Sequence, residues 1–347
     1  MRSRAWLWVV LGLAGCAANA GGGAASYGGG ESYRTTDSTG APGTSQGSGS
    51  APAGTLTAGV WDDNRNYGWF TDFRTEFEAT GDRSTPSFTA AEHDAAHERF
   101  AAPTAHETLD VALVIDTTGS MGDEISYLQT EVADIATRVV AAHPDADTHW
   151  ALVAYKDDTD EYVTRTFDFD GDVTAFRAHL DAEGASGGGD YPEAAARALD
   201  AMAHLGWRTD VATARLAFWV ADAPHHEADR AELAAAVRAA SGLDVHVYPV
   251  ASSGVDTLTE YTMRSAAQLT GGRYLFLTDD SGVGGAHLEP SIPCYFVTRL
   301  NESMLRMIDI ELSGVYREPA EASILRTGGS PTGGLCTLST GDTLQIF

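Results

Sequence analysis

The chain has 347 residues, 43% of them apolar and 20% charged, which excludes a protein that is disordered or fibrous throughout. Forty-nine acidic residues against 22 basic ones give a formal charge of -27, which repels phosphate backbones and argues against nucleic-acid binding. Lys156 is the single lysine and no Gly-Lys-Ser/Thr run occurs, so a P-loop is ruled out.

The N-terminal stretch reads as an address. Arg2 and Arg4 precede an apolar run over residues 5–14, too short to span a bilayer. The run leads into Leu13-Ala14-Gly15-Cys16, which resembles the lipobox of bacterial lipoproteins. That resemblance implies a signal peptide over residues 1–15 and a lipid-modified Cys16. It places the chain in the bacterial cell envelope, on the periplasmic or surface face, and Ala17 favours the outer membrane. A plain secretory signal is the alternative. With Cys16 set aside, Cys294 and Cys336 remain as an even pair in an oxidising compartment. Their disulfide would close a loop of about 40 residues and contribute roughly 3–4 kcal/mol through chain entropy, two free thiols being the alternative.

Residues 16–56 are dominated by small and polar side chains and cannot bury enough surface to offset their ordering entropy. They are expected to form a flexible tether with an r.m.s. span of about 35 Å. Residues 57–108 are an aromatic-rich extension carrying Trp61, Tyr67, Trp69 and Phe70. A short strand and helix packed on the main domain are expected there, with a further helix over 90–100. In that helix His93 and His97 lie four apart like a zinc pair, but without a third ligand they read as a solvated polar face.

Residues 109–280 alternate strand and helix. The apolar run 110–116 predicts a buried parallel strand ending on an acid. Helical spacing follows over 121–143, then a strand over 150–155 and an alternating edge strand over 161–169. Helices are predicted over 173–180 and 192–205, a strand over 216–221 and a helix over 228–240. A strand over 245–250, a helix over 258–269 and a last strand over 273–277 complete the series. This order predicts an α/β fold, a doubly wound and mostly parallel sheet with one antiparallel edge strand. Residues 281–347 form a C-terminal extension with a helix expected over 297–312.

Three loops at the carboxyl ends of these strands carry candidate ligands. Asp116, Thr118 and Ser120 alternate at the end of the first buried strand. Asp222 ends the strand over 216–221, and Ser186-Gly187-Gly188-Gly189-Asp190-Tyr191-Pro192-Glu193 lies between them in the chain. Carboxylates and hydroxyls are hard oxygen donors, suited to Mg²⁺, Mn²⁺ or Ca²⁺ and not to zinc. No nucleophile–base pair accompanies them, which favours binding over catalysis.

These residues resemble the von Willebrand factor A-type domain and its metal-ion-dependent adhesion site. Asp116, Thr118 and Ser120 match its Asp-x-Thr-x-Ser motif, and Asp222 matches its third loop. The Gly-Gly-Gly-Asp-x-Pro-Glu run is similar to the hemicentin-like and bacterial branch. The resemblance covers residues 109–280 and implies a divalent cation, Mg²⁺ first, held by Asp116, Thr118, Ser120, Asp190 and Asp222. It implies a protein or cell-envelope partner engaged through an acidic side chain. The sequence departs from integrin-type members, which have threonine in the second loop. Here Asp190 stands there, with Ser186 the weaker choice, and a third carboxylate would partly quench the cation's pull on such a partner. Two other readings remain: an envelope scaffold whose metal is mainly structural and whose tail or Trp61 region makes the contacts, and a Mg²⁺-dependent phosphatase built on Asp116, Lys156, Asp279 and Asp280.

Overall fold

The computed structural model describes residues 56–189 and 191–346. The expected signal peptide, Cys16 with its expected lipid, the expected tether and Asp190 lie outside the described residues.

The extension opens with β1 (Thr57–Trp61), α1 (Tyr67–Glu78) and α2 (Ala90–Arg99). Then come β2 (Thr108–Asp116), α3 (Ile125–Ala142), β3 (Asp147–Tyr155), β4 (Thr164–Asp170), α4 (Val173–Ala182) and α5 (Ala195–Ala203). They are followed by β5 (Thr213–Ala221), α6 (Arg230–Gly242), β6 (His246–Ala251), α7 (Thr257–Thr270) and β7 (Tyr274–Leu277). The tail holds β8 (Tyr295–Arg299), α8 (Leu300–Ser313), β9 (Arg326–Gly328), β10 (Leu335–Thr337) and β11 (Thr343–Gln345).

Among the described residues nine strands form one sheet in the order β4-β3-β2-β5-β6-β7-β1-β8-β9. Strands β3, β2, β5, β6 and β7 are parallel, and β4 is the antiparallel edge strand on one side. Alternation along β2 splits the core. Val111, Leu113 and Ile115 face a layer with α3, α4 and α8, while Ala112 and Val114 face α5, α6 and α7. The chain leaves β2 for β3 on one side and returns to β5 on the other. The β2–β5 boundary is therefore the switch point, where a crevice opens outside the carboxyl ends of the strands.

The two extensions enlarge this sheet. β1 is inserted antiparallel between β7 and β8, and β9 adds a further antiparallel strand. Antiparallel strands thus occupy both flanks. Gly59 of β1 lies under the Phe276 ring, and a Cβ there would come within 2.1 Å of it. The turn after β1 is fixed by two ion pairs, Asp63 Oδ1 to Arg264 Nη2 at 2.7 Å and Asp62 Oδ2 to Arg273 Nε at 2.9 Å. All four side chains are buried, so removing one partner would strand a charge. Glu131 of α3 joins both extensions, accepting from Leu56 N at 2.6 Å and from Asn301 N at 3.2 Å. Cys294 and Cys336 form a disulfide with a Cα separation of 5.9 Å.

Three expectations are corrected. The helix expected over 297–312 begins only at Leu300, because β8 pairs with β1 and Val297 opposes Gly59. The helix expected over 192–205 begins only at Ala195, because Glu193 N donates to Pro224 O at 2.9 Å and holds the chain extended. His93 is fully buried against Phe70 and Phe88, and His97 stacks on Tyr67, so these histidines do not form a solvated face. Trp61 is fully buried, with Nε1 donating to Asp63.

Candidate metal centre at the carboxyl edge of the sheet

Asp116 closes β2 and is completely buried. Its Oδ1 accepts from Thr118 N at 2.9 Å and from Thr118 Oγ1 at 2.7 Å. Thr118 Oγ1 lies 3.1 Å from Ser120 Oγ. Ser120 also hydrogen-bonds Asp222, which follows β5 on the neighbouring strand. Four predicted ligands thus meet at the switch point: Asp116, Thr118, Ser120 and Asp222. The fifth, Asp190, lies outside the described residues. Ser186, its alternative, is engaged by Lys156.

Lys156 ties the first loop to the second. Its ammonium donates to Thr117 O at 2.5 Å, to Ser186 O, and to Ser186 Oγ at 3.1 Å. Backbone bonds reinforce the junction, Gly119 N to Gly187 O at 2.9 Å and Ser186 N to Thr117 O at 3.1 Å. Asp160, beyond β3, accepts from Gly188 N through Oδ2 at 2.8 Å and so shapes this glycine loop. Asp157 receives His226 Nε2 at 2.6 Å.

Two carboxylates with no role assigned from the sequence adjoin the four ligands. Glu124 Oε1 accepts from Ser253 N at 3.1 Å and faces His287 Nε2 at 3.2 Å. Glu193 belongs to the second loop, yet its backbone is pinned to the third. Besides its bond to Pro224 O it forms an isolated bridge with His225. Neither residue has a motif of its own; in the sequence Glu193 shows only as the end of the glycine-loop run.

The electrostatics are those of crowded acids. Burial, and then the charge of Asp222, pushes the Asp116 carboxyl up. Burial also raises Asp222, against the Ser120 hydrogen bond that lowers it. Glu193 is pushed up to about 8, by burial first and then by Asp116, Asp157, Asp222 and Asp160. Asp116 Oδ2, Asp222 Oδ1, Glu124 Oε2 and Glu193 Oε2 are all buried without a hydrogen-bond partner. Buried oxygens are normally satisfied, so four orphans at one sheet edge mark an unsatisfied acidic cluster. Among the described residues no three of His, Cys, Asp or Glu are placed to hold a metal by themselves. The donor set is instead two carboxylates and two hydroxyls, which fits a hard cation.

Residues 110–278 match the sequence profile of the von Willebrand factor A domain. The chain is 27% identical over 128 residues to alpha-protein kinase vwkA of Dictyostelium discoideum, covering 37% of this chain and 20% of that one. It thus spans about a fifth of that relative's length. Among solved structures it is similar to the conserved hypothetical protein BatB from Bacteroides thetaiotaomicron, with a TM-score of 0.36, 12% identity and coverage of 49% of this chain and 89% of that one. The pilus adhesin SpaC of Lactobacillus rhamnosus GG gives a TM-score of 0.37 at 12% identity, covering 49% of this chain and 27% of the adhesin.

Proposed function

From a von Willebrand factor A domain over residues 110–278, we propose a divalent-cation-dependent protein-binding module, tethered to the bacterial cell envelope through a lipid on Cys16. One observation carries the reading: Asp116 Oδ2 and Asp222 Oδ1 are buried and unpartnered beside Thr118 and Ser120. Asp116, Thr118, Ser120 and Asp222 would hold the cation, with Asp190 added from the second loop. A bound cation supplies the positive charge that offsets the crowded carboxylates, and a coordination position for an oxygen of the partner. The chain's own residues hold the loops in place. Lys156 clamps the first to the second, and Glu193 fastens the second to the third. Among the described residues no helix is long and apolar enough to cross a membrane.

The alternative scaffold reading draws support from the extensions, which are built into the sheet and sealed by a disulfide. The phosphatase reading is disfavoured, because Asp279 faces His287, Asp280 pairs with Arg326 and Lys156 is committed to loop atoms. The test is a melting curve of the chain, first chelated and then with Mg²⁺, Mn²⁺ or Ca²⁺. Saturable stabilisation by one of them is expected. Partner capture that survives chelation would favour the scaffold.

A further inference from the structure

The last turn of α8 lies at the opposite edge of the sheet from the metal centre, beside the residues that lead into β2 and β6. Three histidines from three separate segments bond to it. His106, ahead of β2, donates from its backbone N to Leu312 O at 3.0 Å and from Nδ1 to Glu311 O at 2.8 Å. His246, the first residue of β6, donates from Nδ1 to Glu311 Oε1 at 2.9 Å. His143, which follows the last turn of α3, donates from Nε2 to Asp309 Oδ1 at 2.6 Å. A carbonyl or an ionised carboxylate only accepts, so each ring nitrogen is the donor. Cavities open on both sides of this turn. One of about 260 Å³ is lined by His106, His246 and Glu311, and one of about 450 Å³ by His106, His143 and Leu312. The imidazoles thus hold the helix where close packing is incomplete and where water reaches them.

The charges around the turn favour protonated rings. A helix C-terminus attracts cations, and Asp309 and Glu311 add carboxylates there. Burial alone would raise the Glu311 carboxyl, but His246, then Arg273 and Tyr248, hold it at about 2. Burial alone would lower the His246 ring, but Glu311 and then Asp244 outweigh it and keep it above an ordinary 6.5. The other charged groups nearby have partners of their own. Arg273 donates to Asp62 and lies 4.0 Å from Glu311, while Asp244 pairs with Arg215 at 3.3 Å. Arg317 stands 4.0 Å from Asp309. On α3, Arg138 pairs with Glu302 at 2.9 Å and Glu131 accepts from Asn301 N, both at the far end of α8. Asp145 and Glu107 line the cavity of His143, and Arg99 lines that of His246.

We infer that His106, His143 and His246 form a proton-operated latch on the last turn of α8, which tightens as pH falls and loosens as it rises. A ring raised above its unfolded value contributes fully below about pH 6.5, and that contribution is lost as pH rises through the folded value. Acid therefore fastens α8, and with it the start of the chain that continues into β9. The latch is distant from Asp116 and Asp222 and stands apart from the cation-binding reading.

The test is backbone amide exchange of the full chain, read by mass spectrometry at about pH 5.5 and about pH 7.5 and corrected for intrinsic rates. Protection over residues 307–313 is expected to be several-fold higher in acid, at most about 30-fold, and to change more than that of α5 and α6. His246→Gln should lose most of this rise and His143→Gln part of it. Equal protection at the two pH values in wild type would overturn the latch, whether or not a variant folds. A rise of the same size across α5 and α6 would overturn it too, because it marks global stability. So would an undiminished rise in either variant.

Discussion

Asp116→Asn separates the charge of the centre from its scaffolding. The amide keeps an acceptor at Oδ1 for the Thr118 N–H and hydroxyl, now at 2.9 and 2.7 Å, so the turn is preserved. It removes negative charge from a carboxyl whose Oδ2 is buried without a partner and which is raised by burial first and then by Asp222. Two like charges roughly 5 Å apart repel by about 3 kcal/mol at an effective dielectric of about 20. Partial protonation of the pair already relieves some of this, leaving roughly 1–3 kcal/mol to be recovered. For a folded unit of this size that corresponds to a rise of about 2–5 °C in the chelated Tm. The cation response should vanish at the same time. Wild type should gain about 2.7 kcal/mol at a hundredfold excess of cation over Kd, and the variant nothing. The variant is thus expected to be the more stable protein in chelator and the less stable one in saturating Mg²⁺ or Mn²⁺. Differential scanning calorimetry in both conditions measures the crossover. A lower chelated Tm, or a persisting cation shift, would refute the reasoning.

Three further outcomes are expected. Lys156→Met leaves the carbonyls of Thr117 and Ser186 without their shared donor. Urea melts should show a loss of about 2–4 kcal/mol, and an unchanged midpoint would show that the clamp is dispensable. Glu131 is pushed by burial up to about 7 from an ordinary 4.5. Its folded value lies above its unfolded one, so the folded state keeps a proton that the unfolded state releases. Its contribution is complete below pH 4.5 and declines as pH rises to about 7. Wild type should therefore lose stability relative to Glu131→Gln as pH rises over that window, by at most about 3 kcal/mol, and wild type gaining on the variant would reverse the assignment. Cys16→Ser should abolish palmitate labelling and release the protein from membranes; continued labelling would remove the proposed anchor.

Local patterns in the chain were enough to reveal the parallel half of the sheet. The continuous apolar run into Asp116 and the alternation of strands with amphipathic helices each reflect a backbone period that one segment sets for itself. Asp116, Thr118, Ser120 and Asp222 were legible for a related reason. A tight turn brings the first three together, and the switch-point topology of alternating strands brings the fourth. The cysteine pair was legible from its even number.

What the tertiary structure alone decided depends on partners far apart in the chain. Residues 57–61 are too short to declare their place, and only pairing with β7 and β8, with Gly59 against Phe276, makes them an interior strand. Val297 suits a helix or a strand, and the free edge of β1 selects the strand. His93 reads as polar surface until Phe70 and Phe88 close around it. Glu124 carries no local mark of its burial, and Glu193 shows only as the end of the glycine-loop run. Their burial beside Asp116 and Asp222 comes from loops that meet only after the sheet has formed, because an electrostatic environment is set by distance in space and not by separation along the chain.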